Sequence, residues 1–272
     1  MTHTPTALRA LLDDAGITLS RALGQNYVAD PNTVRRIARL AELQPGDRVV
    51  EIGAGVGSLT LALAERGAHV LAVETDRHVL PVLERVVAGL DVEVLAGDAL
   101  TFEWAQHLDP DPAAGWAMVA NLPYNIAVPL LLDTLARVPA VTRFLVMVQR
   151  EVAERLAADP GGKVYGIPSV KRAWWASAEV VGRVPASVFV PPPRVESALL
   201  RLERRPPPAT TLAAADVFAL VERAFGQRRK MIRRSLGDRA DLAACAARAG
   251  VSPEQRPEQL GLDRWVALAE AL

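Results

Sequence analysis

Short apolar runs and amphipathic stretches alternate along the first 150 residues. Val49-Val50-Glu51-Ile52, ending in Gly53, is predicted to be a short buried strand. HVLAVE (69–74), VEVLAGD (92–98), WAMVANLPY (116–124) and RFLVMVQ (143–149) are predicted to be four more. Asp30-Pro31 followed by VRRIARLAEL reads as an N-cap, a proline in the first turn and an amphipathic helix. LTLALAERG, stopped by Gly67, and HVLPVLERVVAG are further helices. Strands separated by helices imply βαβ units and a mostly parallel sheet, an α/β fold.

The pattern changes after residue 150. WWASAEVVGRV and ESALLRLE are predicted to be strands around a proline-rich bend from Val184 to Arg194, an antiparallel hairpin added to the sheet. Residues 209–272 are rich in Ala, Leu and Arg with helical periodicity and no strand signal. The stiff RRPPP stretch, Arg204 to Pro208, marks the expected boundary between a sheet domain (1–204) and a small all-helical domain (205–272).

Composition narrows the classes. With 50% hydrophobic and 23% charged residues in 272, the chain has the balance of a folded domain. The single cysteine, Cys245, excludes an internal disulfide framework and a Cys-rich zinc site, and suggests a reducing compartment. Asp13 and Asp14 fall where a secretory leader needs apolar residues, and no window has the length of apolar residues a membrane span needs. A cytoplasmic location without membrane association is therefore expected. The formal net charge is zero, but residues 1–150 hold 12 basic and 17 acidic side chains whereas residues 151–272 hold 19 and 14. A basic second half hints at a polyanionic partner.

Candidate chemistry begins at Glu51-Ile-Gly53-Ala-Gly55-Val-Gly57, followed by a helix. Glycines permit a sharp turn after the first strand and close approach to a ligand. The third glycine comes one residue earlier than in the dinucleotide fingerprint, a spacing that fits S-adenosylmethionine enzymes better than NAD enzymes. A tight strand-to-helix turn without ligand is the alternative. Glu74 ends the next strand, 21 positions after Gly53, where an acid accepts from ribose hydroxyls. Asp98, in Gly97-Asp98-Ala99, is placed to accept from an adenine amino group, or simply to cap a helix. Gly53, Glu74, Asp98 and Asn121 all lie at carboxyl ends of strands and should converge on one edge.

Asn121-Leu122-Pro123-Tyr124 carries the second half of the chemistry. The N6 of adenine is a weak nucleophile because its lone pair is delocalised into the ring. The Asn121 oxygen and the Leu122 carbonyl can accept its two N–H groups and free the lone pair. Pro123 stiffens the turn and Tyr124 stacks on the base. This is catalysis by positioned dipoles and orientation, without a strong general base. The alternative is an Asx-type turn with a buried tyrosine.

With these motifs in order, the chain resembles the KsgA/RsmA family of small-subunit rRNA adenine N6,N6-dimethyltransferases. Leu23-Gly-Gln-Asn-Tyr27 is similar to the family's N-terminal motif, which implies cofactor contacts by Gln25, Asn26 and Tyr27. The core motifs Glu51 to Gly57, Glu74, Asp98-Ala99 and Asn121 to Asn125 follow in order, and then Met147 to Arg155 and Lys163 to Gly166. Val188 to Ser197 resembles the family's proline-rich stretch and makes Phe189 the expected second stacking ring. Ala224-Phe-Gly-Gln-Arg-Arg-Lys230 resembles the signature of the helical domain. The chain departs from the pattern at Ala54, at Gly166-Ile-Pro-Ser169, and at Ser20-Arg21-Ala22, where an early RNA contact is put in doubt. The resemblance implies a Rossmann-like S-adenosylmethionine-dependent methyltransferase sheet. It also implies dimethylation of two adjacent adenosines near the 3′ end of small-subunit rRNA, on the small ribosomal subunit, late in assembly. Nothing in the sequence demands a dimer, and a monomer is expected.

Between 223 and 239 the chain carries Arg223, Arg228, Arg229, Lys230, Arg233, Arg234 and Arg239 against Asp238 alone. On a helix, the four-residue spacings would gather these into a stripe, either a solvated face or a phosphate contact. The four histidines show no metal-ligand spacing, and no metal is expected. Cys245 and Met147 read as core, and Trp174-Trp175, if on a strand, would face opposite sides. Two rival readings stand beside the small-subunit enzyme: a large-subunit rRNA methyltransferase of the macrolide-resistance type, and a ribosome-assembly binding factor with methylation secondary.

Overall fold

The computed structural model describes residues 2–18, 25–109, 115–237 and 241–272. Ser20 to Gly24, Asp238 and Arg239 lie outside them. The chain forms two compact units, one running to Ala153 and resuming over Glu179–Arg204, the other comprising Glu154–Ala178 and Arg205–Leu272. The division expected at residue 204 is thus one of three crossings between units.

The strands are β1 (Tyr27–Val28), β2 (Arg48–Ile52), β3 (His69–Glu74), β4 (Val92–Ala96), β5 (Trp116–Asn121), β6 (Val141–Gln149), β7 (Ala176–Val184), β8 (Phe189–Val190) and β9 (Ser197–Arg204). The helices are α1 (Pro5–Asp14), α2 (Pro31–Leu40), α3 (Ser58–Ala64), α4 (Leu80–Val86), α5 (Ala127–Arg137), α6 (Arg150–Ala157), α7 (Ile167–Trp175), α8 (Ala214–Phe225), α9 (Ile232–Ser235), α10 (Leu242–Arg248) and α11 (Leu262–Ala271).

Seven strands form one sheet in the order β4-β3-β2-β5-β6-β9-β7. The first five run parallel, and β9 joins β6 antiparallel with Gln149 opposite Ser197. This is the mostly parallel α/β sheet with an antiparallel addition that the sequence predicts. The central strands are buried on both faces, which is why they read as continuous apolar runs rather than alternating ones. β1 and β8 form a separate two-stranded antiparallel ribbon, Val28 opposite Phe189, too short for a periodicity signal.

α2 begins as its sequence predicts. The Asp30 carboxylate accepts from the Thr33 backbone N–H (2.8 Å) and hydroxyl (2.5 Å), and Pro31 opens the helix. Asp30→Ala is expected to cost about 1 kcal/mol of stability. That lowers the thermal midpoint by about 2–4 °C in a protein of this size, which calorimetry resolves.

The second unit is helical around Tyr165, Trp174, Val221 and Trp265, all nearly inaccessible. The Tyr165 hydroxyl donates to the Leu260 carbonyl at 3.0 Å. Cys245 is buried in this core, as expected. Trp174 and Trp175 correct the sequence reading: they end α7, and the strand starts only at Ala176. A short apolar run does not by itself distinguish a strand from a buried helical turn. Trp174 packs edge-on against Phe218 at 5.6 Å between ring centres. No helix among the described residues is long and apolar enough to cross a membrane.

Candidate active site

In the sheet, β3 and β4 lie on one side of β2, and β5 and β6 on the other. Such a reversal of strand order opens a crevice at the carboxyl ends of the strands. A cleft of about 680 Å³ is found there, and eleven of the predicted residues line it: Gln25, Asn26, Tyr27, Gly53, Glu74, Asp98, Ala99, Asn121, Leu122, Pro123 and Tyr124. Ile52 and Val73 add apolar wall.

The glycines do three different jobs. Gly53 turns the chain at φ +70°, and a side chain there would meet the Pro123 ring at 3.6 Å, so the glycine loop and the Asn121–Tyr124 segment abut. At Gly55, φ +58°, an added Cβ would sit 2.4 Å from the Tyr27 ring, and its N–H donates to Glu74 at 2.8 Å. Gly57 lies off the cleft: a Cβ there would crowd Leu83 and Val86, so this glycine serves the packing of α3 on α4.

Glu74 is 7% exposed, and burial raises its carboxyl above the usual range. It accepts from the backbone N–H groups of Gly55, Thr75 and Asp76, tying the glycine loop to the end of β3. A carboxylate offers about four acceptor sites, so this bracing is compatible with accepting a ribose hydroxyl. Asp98 is exposed and accepts from the Leu100 N–H at 3.0 Å, an Asx turn that fixes the carboxylate at the cleft wall.

Glu51 sits behind this wall. It is 2% exposed and faces a much smaller cavity that shares Tyr27, Gly53 and Asn121 with the cleft. Its Oε2 has no hydrogen-bond partner among the described residues. Burial pushes its carboxyl up to about 8, with the Thr60 hydroxyl offsetting only part of this. The neutral form therefore favours the folded state. That contribution is full below the ordinary value of 4.5 and is lost as pH rises through about 8. The thermal midpoint of the wild type is expected to fall over this window relative to that of Glu51→Gln. Parallel melting curves from pH 4.5 to 8 would refute this placement of the charge.

At the end of β5, the Asn121 amide nitrogen donates to the Asn26 carbonyl at 2.9 Å, and the Leu122 N–H donates to Met147 at 3.1 Å. The Tyr124 hydroxyl lies 2.6 Å from the Ser197 hydroxyl, and burial raises its pKa above the ordinary tyrosine value. The Gln25 amide donates to Asp76 at 2.7 Å. Asp76 and Ser197 were not picked out as site residues from the sequence. Asp76 lies two positions beyond Glu74, and Ser197 ends the proline-rich motif, so position alone was the available signal.

Two expectations are corrected. Phe189 is 2% exposed and belongs to the core around Val28 and Leu199, lining neither this cleft nor the adjoining groove. It pairs with Val28 of β1, and its ring is buried in that core. The basic segment is not a helical stripe either. α8 stops at Phe225, residues 226–229 form turns with a bend at 230, and α9 covers only Ile232–Ser235. Arg228 is engaged internally, with Glu258 at 2.5 Å and the Lys163 carbonyl at 2.7 Å. Arg223, Arg229, Lys230, Arg233 and Arg234 are exposed. Gly226 and the turns after it break the four-residue register on which a stripe depends.

The donor set of the cleft fits a nucleoside with an amino-acid tail: two carboxylates at its walls, apolar side chains between them, and glycine backbone at Gly53 and Gly97. Among the described residues no group of three or more His, Cys, Asp or Glu is placed to hold a metal ion.

Residues 17–272 match the model of the family described as "Ribosomal RNA adenine dimethylase". A protein of Kineococcus radiotolerans named "Ribosomal RNA small subunit methyltransferase A" is 49% identical over 271 residues, covering 96% of this chain and 89% of that one. One of the same name from Thermobifida fusca is 46% identical, covering 98% and 95%. Among solved structures, the 23S rRNA methyltransferase ErmE aligns at TM-score 0.69 with 30% identity, over 91% of this chain and 99% of that one. A dimethyladenosine transferase from Plasmodium falciparum shares the fold at TM-score 0.71 and 23% identity, over 88% and 94%.

Proposed function

The chain belongs to the ribosomal RNA adenine dimethylase family, and from that premise we propose how its cleft works and which RNA it serves. The protein is a methyltransferase that uses S-adenosylmethionine and acts on rRNA adenine. The substrate we assign is the N6 of adjacent adenosines near the 3′ end of small-subunit rRNA, presented by the small ribosomal subunit to a monomeric enzyme. The relatives sharing nearly half their residues with this chain favour the small subunit over the large-subunit target of ErmE.

The cofactor supplies a methyl carbon made electrophilic by the sulfonium to which it is bonded. The carboxylate of Glu74 would hold the ribose hydroxyls of the cofactor, and Asp98 the amino group of its adenine. Gln25, Asn26 and Tyr27 close the cleft from the N-terminal side. The observation that carries the reading is the bond from Asn121 to the Asn26 carbonyl. It commits the amide nitrogen as a donor and leaves Oδ1 as the acceptor at the cleft. An adenine N6–H donated to that oxygen draws the nitrogen toward pyramidal geometry, so that its lone pair can attack. That nitrogen is the nucleophile to which the bound cofactor would supply its methyl group, and the N6 proton would pass to water. The Tyr124 ring stacks on the base, held in orientation through its hydroxyl by Ser197. Preorganised dipoles and orientation of this kind are sufficient without a strong base. The exposed side chains of Arg223, Arg229, Lys230, Arg233 and Arg234 supply phosphate contacts on the second unit, with Arg228 fixing their turn.

The test is methyl transfer from labelled cofactor to unmethylated small subunits, large subunits and naked rRNA in parallel. Label recovered as N6,N6-dimethyladenosine only from small subunits is the expected result. Label in large-subunit RNA overturns the target assignment. Cofactor binding without any label favours the assembly-factor reading.

A further inference from the structure

No residue of α1 lines the cleft, and the helix lies ahead of residues 17–272 that match the family. Its contacts nevertheless reach the residues that shape the cleft. Thr4 caps the helix by accepting from the Ala7 N–H at 3.2 Å, and Pro5 opens it. Leu8 and Leu12, four positions apart, share one face and are buried. They form a small core with Ala29, Val56, Val79 and Val82, against which Tyr27 and Val190 also pack. Beyond the helix, the Ile17 N–H donates to the Leu12 carbonyl at 2.9 Å, and the Ile17 side chain joins the same core. Ahead of the helix, the His3 ring nitrogen Nε2 lies 3.1 Å from the Val56 carbonyl oxygen. A carbonyl only accepts, so Nε2 carries the proton and donates.

Val56 is the middle of the glycine loop. Gly55 and Gly57 on either side of it have φ of +58° and +83°. Glycine enters such conformations readily and leaves them as readily, so the loop needs anchors on both sides. On one side, Gly53 donates to the Val73 carbonyl and Gly55 to Glu74, both at 2.8 Å, which fixes the loop to the end of β3. On the other side, the Val56 side chain is buried in the α1 core and its carbonyl is held by His3. Tyr27, which lines the cleft and lies against Gly55, rests on the same core. One short helix thus joins two pieces of the cleft that are distant in sequence.

We propose that α1 is a strap that holds the glycine loop and β1 in the arrangement that receives the cofactor, with His3 as the positioning residue at its end. The proposal rests on the reading of the cleft as the S-adenosylmethionine site and goes beyond it, by assigning a part to a helix that lines none of its walls. A loop already ordered by the strap loses less freedom when the cofactor arrives, and binds it more tightly for that reason. The coupling is reciprocal, so the cofactor in turn tightens the strap.

The test uses the full chain. His3→Ala is expected to weaken S-adenosylmethionine binding about 5- to 10-fold by equilibrium titration, the effect of one hydrogen bond. KM for unmethylated small subunits is expected to stay unchanged. His3→Gln, whose amide retains a donor, is expected to recover cofactor affinity to within about twofold of the wild type. The second readout needs no variant. Hydrogen exchange of the α1 amides in the wild type is expected to slow about 10-fold or more when the cofactor saturates the cleft. Wild-type affinity in His3→Ala, together with α1 exchange that the cofactor leaves unchanged, would overturn the strap. A wild type that binds no S-adenosylmethionine at all would instead overturn the reading of the cleft on which the strap rests.

Discussion

Asn121→Ala is expected to lower kcat for methyl transfer about 100- to 1000-fold, the range found when one preorganised polar group is removed from a reacting centre. The substitution removes two things at once. It takes away the Oδ1 acceptor for the adenine N6–H, and it leaves the Asn26 carbonyl without the 2.9 Å donor that ties the N-terminal segment to the end of β5. Asn121→Asp separates them. It keeps an acceptor but sets an oxygen against the Asn26 carbonyl in place of the donating nitrogen. Its rate is expected to fall to a similar degree, and its cofactor affinity to fall as well. Rapid-quench single turnovers report the chemical step, and equilibrium titration reports the cofactor. A rate within tenfold of wild type for the alanine variant would remove Asn121 from the reaction.

Gly55→Val is expected to weaken cofactor binding about 10- to 100-fold, corresponding to about 1.4–2.7 kcal/mol. An added Cβ would fall 2.4 Å from Tyr27 Cε1, inside any permissible contact, and φ is +58°. Backbone strain of this type costs on the order of 1–3 kcal/mol. The Tyr27 ring lines the cleft and must leave its place. Gly89→Val is the control. Gly89 also has a positive φ, +80°, but an added Cβ there meets nothing within 4 Å. It shares the conformational strain without the collision and should bind cofactor as the wild type does. Equal losses in both variants would show that strain alone, and not the displaced tyrosine, closes the site.

Much of this arrangement was readable from residues. The apolar runs at 49–52 and 69–74 became β2 and β3 almost to the residue because central parallel strands are buried on both faces. Asp30-Pro31 set the start of α2 because its chemistry is local. The convergence of Gly53, Glu74, Asp98 and Asn121 followed from one topological rule. What escaped depended on partners distant in sequence. Ser197 lies 73 positions from Tyr124, and no local pattern announces that bond. Phe189 was placed by motif, but it pairs with Val28 in a two-residue ribbon and its ring is buried in the core. The arginines of 228–234 have helical spacing, yet Gly226 and the turns after it override the periodicity, and Arg228 is spent on Glu258. Trp174-Trp175 failed as a strand because adjacent indoles give no period at all.

The bond between Tyr124 and Ser197 bears on the chain as it is synthesised. Every residue of the cofactor cleft precedes residue 127, so that space can be enclosed while the second half of the protein is still being translated. Tyr124, which we propose receives the RNA base, lacks the Ser197 partner of its hydroxyl until β9 has emerged and zipped onto β6. A nascent or truncated chain ending before Ser197 would thus contain the segments that hold the methyl donor but not the completed seat for its acceptor. Competence for transfer arrives late, once the last strand of the sheet has left the ribosome that makes it.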